Sequence, residues 1–208
     1  IVAPLSTIPH WQREFDGWTD MNAISYLGNE DSRYTLREYE FHNVDQKSSK
    51  KNKYRFDVVI TTYEMRLTDT SILGKIEWKL LIVDEAQRLK NANSRLSVAL
   101  RDEFYTAHRV LLTGTPIQNN MKEMWALLNF LMPDEYASED DFMASFGNLE
   151  TAEQVTKLHS VLRPLLLRRM KADVETKLPP RQETMIEVDL TPLQKQYYKA
   201  VYEKNTKY

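Results

Sequence analysis

Leu80-Leu81-Ile82-Val83-Asp84-Glu85-Ala86-Gln87 is the stretch from which the rest of this sequence is read. Four apolar residues in a row have the pattern of a strand buried on both faces, as inside a parallel sheet. Two carboxylates follow with no turn residue before them. That sets Asp84 and Glu85 at the carboxyl end of the strand, where open α/β sheets put their ligands. Paired carboxylates there suit a magnesium–phosphate site, one holding the metal and the other positioning or deprotonating a water. Alone, the same residues also describe a strand running into a surface turn with two solvated acids, so the neighbours decide.

The chain has 208 residues, enough for one large domain or one domain with appendages. Its net charge of -2 excludes a uniformly basic nucleic-acid binder, and any such surface must be local. With no cysteine there are no disulfides and no thiolate metal sites, which fits a reducing compartment. No apolar run is long enough to span a bilayer, and no secretory signal pattern is present.

Ile1 to Ala3 is strand-like and Pro4 ends it, so the chain reads as beginning inside a domain. Ser6 or Thr7 can cap a helix with Pro9 in its first turn. Trp11 and Phe15 share one face of that helix. Asn22 to Gly28 reads as a strand, and Asp31 or Ser32 as the cap of a helix running to about His42. Asp45 to Lys53, with four lysines, is a solvated loop or one that rests on phosphates. Val58-Val59-Ile60 is a third buried strand with Thr61 and Thr62 at its carboxyl end.

Asn93 or Ser94 caps a helix with Leu96, Ala99, Leu100 and Phe104 on one face. Arg109 to Leu112 is another buried strand, followed by the Thr113-Gly114-Thr115-Pro116 turn. Asn120 and Glu123 resemble a capping box before a helix with a Met124, Leu127, Leu128, Leu131 stripe. Asp134 to Asp141 is an acidic loop. Thr151 and Gln154 open a further helix in which His159 reads as a partly buried structural histidine rather than a ligand. Pro164 breaks that helix. Glu183 to Leu190 alternates as a half-buried strand, and Thr191-Pro192 with Gln194 starts a last helix.

Strands and helices alternate through residue 132, so the fold class is α/β with a largely parallel sheet. Polar clusters follow four strands: Ser6/Thr7, Thr61/Thr62, Asp84/Glu85/Gln87, and Thr113 to Asn119. Right-handed crossovers gather all four at one sheet edge, which makes them a single site.

VAPLST, DVVITTYE, LLIVDEAQRLKN and VLLTGTPIQNN, in this order, resemble motifs Ia, Ib, II and III of the Snf2 branch of superfamily 2 helicase-like ATPases. LRPLLLRRMKADVETKLPPRQE resembles the segment that leaves the first lobe in that branch. GNEDSRYTLREYEFH, ALLNFLMP and LTPLQKQYYKAVYEKN are most similar to the chromodomain-helicase-DNA-binding remodelers.

The resemblance implies a RecA-like lobe over residues 1–132, a helical extension over 133–180, and the start of a second lobe over 181–208. It implies ATP-driven translocation on double-stranded DNA, acting on nucleosomes in the nucleus, with ATP and magnesium as cofactors. The partners implied are DNA, histones and the second RecA-like lobe. Asp84 would hold magnesium through water and Glu85 would activate the attacking water. Gln87, where most relatives carry His, keeps a donor and an acceptor but does not titrate. Ser6, Thr7, Thr61 and Thr62 would meet DNA phosphates. Thr113, Gly114, Thr115 and Gln118 would couple the nucleotide site to DNA and the other lobe. Hydroxyls and N–H groups at loop starts grip phosphates without reading bases, as a sequence-tolerant motor requires.

One part of the family pattern is missing. None of the five glycines belongs to a GxxxxGK[ST] loop, which in the family lies upstream of the VAPLST motif. Gly74-Lys75 is followed by Ile76 and does not fit. Without that loop the β- and γ-phosphates have no cradle, and these residues alone are expected to bind ATP weakly. The missing strand is expected to leave a gap in the sheet. The alternative to a piece of an ATPase is a degenerate lobe acting as a non-enzymatic DNA- or protein-binding module.

Overall fold

Ile1 to Ala3 lie in the middle of a sheet. In the computed structural model of the chain, which describes residues 1–42, 54–114, 120–147, 151–169, 174 and 182–203, this segment joins two parallel pairs of strands. On one side are β1 (Ala23–Tyr26) and β2 (Val58–Thr61); on the other are β3 (Trp78–Val83) and β4 (Thr106–Leu111). The Thr61 N–H donates to the Ile1 carbonyl and Ala3 N–H to the Thr61 carbonyl, both at 2.9 Å. Val2 N–H donates to the Ile82 carbonyl at 2.8 Å, and Asp84 N–H to the Val2 carbonyl at 2.9 Å. The order is therefore β1, β2, Ile1–Ala3, β3, β4, all parallel. The described strands pair without a break, so the expected gap is absent from their interior and β4 stands at an edge.

Alternation sends neighbouring residues of the central segment to opposite faces. Val2 packs with Leu81, Val83, Leu89, Leu100, Leu127 and Phe130. Ala3 packs with Ile8 and Ile60 beneath α1 (Ile8–Trp18). A side chain buried as fully as Leu100 contributes roughly 1.5–3 kcal/mol. Toward the β4 side the burial weakens. Leu80 is 46% exposed, Val110 39% and Leu112 37%, so β3 and β4 bury mainly one face rather than two.

Helix starts follow local chemistry closely. Ser94 caps α5 (Arg95–Asp102) by accepting from the Ser97 N–H. Asn120 accepts from the Lys122 and Glu123 N–H groups at the start of α6 (Met121–Leu131), while Glu123 pairs with Lys90 at 2.5 Å instead of reaching back. Asn29, not Asp31 or Ser32, caps α2 (Glu30–Leu36), accepting from the Ser32 N–H; one π turn continues it to Phe41. Thr7 does not cap α1, because its hydroxyl donates to the Pro4 carbonyl at 3.0 Å.

Two short helices, α3 (Tyr63–Thr68) and α4 (Thr70–Leu73), link β2 to β3. Gly74 follows them as a helix stop, and a Cβ there would lie 2.7 Å from the Glu103 and Thr70 carbonyl oxygens. A buried polar network ties this link to α2. Asp69 accepts from Arg33 Nε at 2.6 Å and from the Tyr26 hydroxyl at 2.7 Å, with Arg37 donating to Tyr26 at 2.7 Å. Arg33 also donates to the Gly28 carbonyl at 2.6 Å.

The first compact unit runs from Ile1 to Leu162. It includes α7 (Glu139–Phe146) and α8 (Ala152–Leu162), whose Phe142, Phe146 and Leu158 pack with Trp125 and Leu128 of α6. Part of the expected acidic loop is thus the first turn of α7, capped by Ser138. His159 is exposed, contrary to the reading of it as partly buried. The second unit, Arg163–Tyr208, contains α9 (Pro192–Tyr202), opened by the Thr191/Gln194 capping box. The strand expected over Glu183 to Leu190 is not formed. Ile186 is 77% and Val188 83% exposed, and no strand pairs with this stretch among the described residues. The basic loop expected at Asp45 to Lys53 lies outside the described residues. No helix among the described residues is long and apolar enough to cross a membrane.

Candidate active site

Groups that follow Ile1–Ala3, β2 and β4 meet Asp84 and Glu85 at the end of β3. Glu85 leaves β3 in a left-handed conformation, φ 52° and ψ 50°, and is the one non-glycine residue with positive φ among the described residues. Such a backbone costs a side-chain-bearing residue free energy and persists where its surroundings over-determine it. Three contacts do so here. Tyr63 donates its hydroxyl to the Asp84 carbonyl and lies 3.3 Å from the Glu85 carbonyl. Ala86 N–H donates to the Leu112 carbonyl at 2.8 Å. Glu85 N–H donates to Asp84 Oδ1 at 2.9 Å. A tyrosine phenol is protonated at neutral pH, and burial pushes that of Tyr63 further above its usual pKa. The Arg88 guanidinium covers the Tyr63 ring at 4.6 Å.

The two acids have different partners. Asp84 Oδ2 accepts from the indole N–H of Trp11 at 3.1 Å. Each of its oxygens therefore carries one N–H donor and keeps acceptor capacity for another ligand. Glu85 Oε2 accepts from the Gln87 side-chain amide at 2.8 Å, and the Thr113 hydroxyl donates to the Gln87 oxygen at 2.9 Å. A relay of Thr113, Gln87 and Glu85 thus joins the end of β4 to the end of β3. Both acids are half-buried.

No group of three His, Cys, Asp or Glu residues able to hold a metal occurs among the described residues. A divalent cation that keeps most of its water, or shares its shell with phosphate oxygens, needs only one or two protein carboxylates, and Asp84, with acceptor capacity left on each oxygen, fits that role.

The remaining sequence-derived residues divide. Ser6 is exposed and Thr7 half-buried, in the 3-10 turn Leu5–Thr7 that leads into α1. Thr61 and Thr62 are each 4% exposed. The Thr61 hydroxyl donates to the Tyr26 carbonyl at 2.9 Å, and that of Thr62 caps α3 by accepting from the Met65 N–H. Both hydroxyls are engaged within the fold, as is that of Thr7, which donates to the Pro4 carbonyl. Gly114 follows Thr113; Thr115 and Gln118 lie outside the described residues.

Sequence reasoning did not single out Trp11 or Tyr63 for the site. A tryptophan that is half-buried needs a partner for its N–H, but the partner here is 73 residues away.

A family model for the SNF2-related domain matches residues 1–208. The chain is 50% identical over 206 residues to Chromodomain-helicase-DNA-binding protein 8 of Danio rerio, covering 99% of this chain and 8% of that protein. It is 52% identical over 206 residues to Chromodomain-helicase-DNA-binding protein 6 of Mus musculus, again covering 99% of this chain and 8% of that one. Among solved structures it is similar to the Sulfolobus solfataricus SWI2/SNF2 ATPase core in complex with double-stranded DNA. That match has a TM-score of 0.66 and 29% identity, covering 98% of this chain and 40% of that one.

Proposed function

This chain belongs to the SNF2-related domain family, and from that premise we propose that it supplies the acid pair and coupling arm of an ATP-dependent chromatin remodeler. The complete motor hydrolyses ATP with magnesium, translocates on double-stranded DNA and acts on nucleosomes in the nucleus. The observation that carries the reading is the wired acid pair. Glu85 is held by Gln87, Gln87 by Thr113, and the backbone between the acids by Tyr63.

Each residue then has a job. Asp84 would hold the metal through water, its carboxylate oriented by the Trp11 and Glu85 N–H donors. Magnesium, when bound, neutralises charge that develops on the transferred phosphoryl group. Glu85 accepts a proton from the attacking water. Gln87 orients the Glu85 carboxylate without competing for that proton, because an amide does not titrate. Thr113 passes the position of the β4 end to Gln87. Ser6, Thr7 and the Thr61/Thr62 turn meet DNA phosphates. The second RecA-like lobe and a phosphate-binding loop complete the nucleotide site; the 208 residues contain no GxxxxGK[ST] to do so.

The test is turnover in the complete two-lobe enzyme. ATP hydrolysis should rise on adding duplex DNA of any sequence. Duplex-independent hydrolysis, or none, contradicts the proposal. A non-enzymatic binding module has no use for an amide relay onto a half-buried glutamate, and the relay favours the enzyme over that alternative.

A further inference from the structure

We infer that Trp11 is a positioning residue for the acid pair, orienting the Asp84 carboxylate through its indole N–H and carrying the position of the Ser6/Thr7 turn to it. The inference rests on the proposed ATPase role of Asp84 and Glu85.

Four observations support it. The Trp11 Nε1–Asp84 Oδ2 hydrogen bond, at 3.1 Å, is between residues of different elements. Glu85 N–H holds the other oxygen at 2.9 Å, so the two donors together fix the plane of the carboxylate. The indole is itself fixed: it stacks on Phe15 with ring centroids 6.4 Å apart, and packs against the cluster of Ala3, Ile8 and Ile60. Finally, Asp84 makes no ion pair with Lys or Arg among the described residues. A cationic partner would hold the carboxylate and compete with a metal for its charge. A neutral N–H orients the group and leaves the full charge for Mg²⁺.

The path from the DNA side is short. Trp11 lies one helical turn beyond Thr7, and Pro9 stiffens the chain between them. A shift of the Leu5–Thr7 turn moves the first turn of α1, and with it the donor on Asp84. Tyr63 makes a matching link from the turn after β2 to the Asp84 and Glu85 carbonyls. Both turns proposed to meet DNA are therefore tied to the acids by one hydrogen-bonding ring each.

The test uses the complete two-lobe enzyme and Trp11→Phe, which keeps an aromatic ring over Phe15 and removes the N–H. Affinity for a fluorescent ADP analogue is measured with Mg²⁺ and with EDTA, so no turnover is involved. The gain in affinity on adding Mg²⁺ should fall about tenfold, since a hydrogen bond to a charged group is lost. Affinity in EDTA, and affinity for duplex DNA in the absence of nucleotide, should be unchanged. An unchanged Mg²⁺ gain overturns the inference. Glu85→Gln is assayed in parallel for hydrolysis. If it is inactive while Trp11→Phe shows the normal Mg²⁺ gain, the positioning role alone falls; if Glu85→Gln hydrolyses normally, the proposed function falls and the inference with it. A second measurement covers the case in which Trp11→Phe does not fold. In ¹⁵N-tryptophan-labelled protein, Asp84→Asn should move one indole N–H resonance, and a spectrum in which none moves overturns the inference.

Discussion

Replacing Glu85 by Gly and, separately, by Ala tests whether the acid pair sits on a strained turn. Both changes remove the carboxylate and its 2.8 Å contact with Gln87, so that loss cancels in the comparison. What differs is the backbone. At φ 52° and ψ 50°, an L-residue with a Cβ bears roughly 1–2 kcal/mol that glycine does not. Glycine gives back about 0.5–1 kcal/mol through the greater freedom of its unfolded chain. The Gly variant should therefore be more stable than the Ala variant by up to about 1.5 kcal/mol, and by roughly 0.7 kcal/mol at the middle of both ranges. At an ordinary φ the order reverses, with glycine the weaker by a similar amount. The assay is urea unfolding of both variants, compared at equal slope so that midpoints report stability. An Ala variant more stable than the Gly variant would refute the left-handed turn and the strain argued from it. In the two-lobe enzyme both should lose hydrolysis, because neither can accept the proton.

Three further outcomes are expected. Asp69→Asn leaves the buried Arg33 guanidinium without its anion and should cost about 3 kcal/mol in urea unfolding, the low end for a broken buried pair because the Gly28 carbonyl remains; adding Arg33→Met should recover part of the loss. Thr7→Ala in the two-lobe enzyme removes the hydroxyl bond to Pro4 and should lower DNA-stimulated turnover, with affinity falling alike for unrelated duplexes; a loss confined to one sequence means base readout. The 208 residues by themselves, having no phosphate loop, should bind a fluorescent ATP analogue weakly, and low-micromolar affinity in magnesium contradicts that.

The sheet was legible because its strands are local signals. Val58 to Ile60 and the run ending at Val83 are short apolar stretches bounded by polar ends, and both are strands. Helix starts at Ser94, Asn120 and Thr191 were readable for the same reason: a cap is chosen within four residues. Readings that depended on distant partners fared worse. Glu183 to Leu190 alternates like a strand, but alternation describes a face and does not provide the neighbour that face requires. The double-sided burial inferred for β3 and β4 failed likewise at Leu80 and Val110. In the site, Asp84 and Glu85 stood out by type and spacing, whereas Trp11 and Tyr63 reach them across long stretches of chain. Thr61 and Thr62 do stand at the end of β2, where their hydroxyls engage the Tyr26 carbonyl and the Met65 N–H.

The proposed roles give the proton to Glu85 and the metal to Asp84, a division that separate substitutions resolve. Single-turnover hydrolysis and nucleotide affinity in the complete enzyme, measured for Glu85→Gln and Asp84→Asn, address it together. Glu85→Gln keeps size and hydrogen bonding but takes no proton, so hydrolysis should fall about 10²–10⁴-fold while ATP binding survives. Asp84→Asn should weaken magnesium-dependent nucleotide binding as well as hydrolysis. Near-normal hydrolysis by Glu85→Gln would contradict the account.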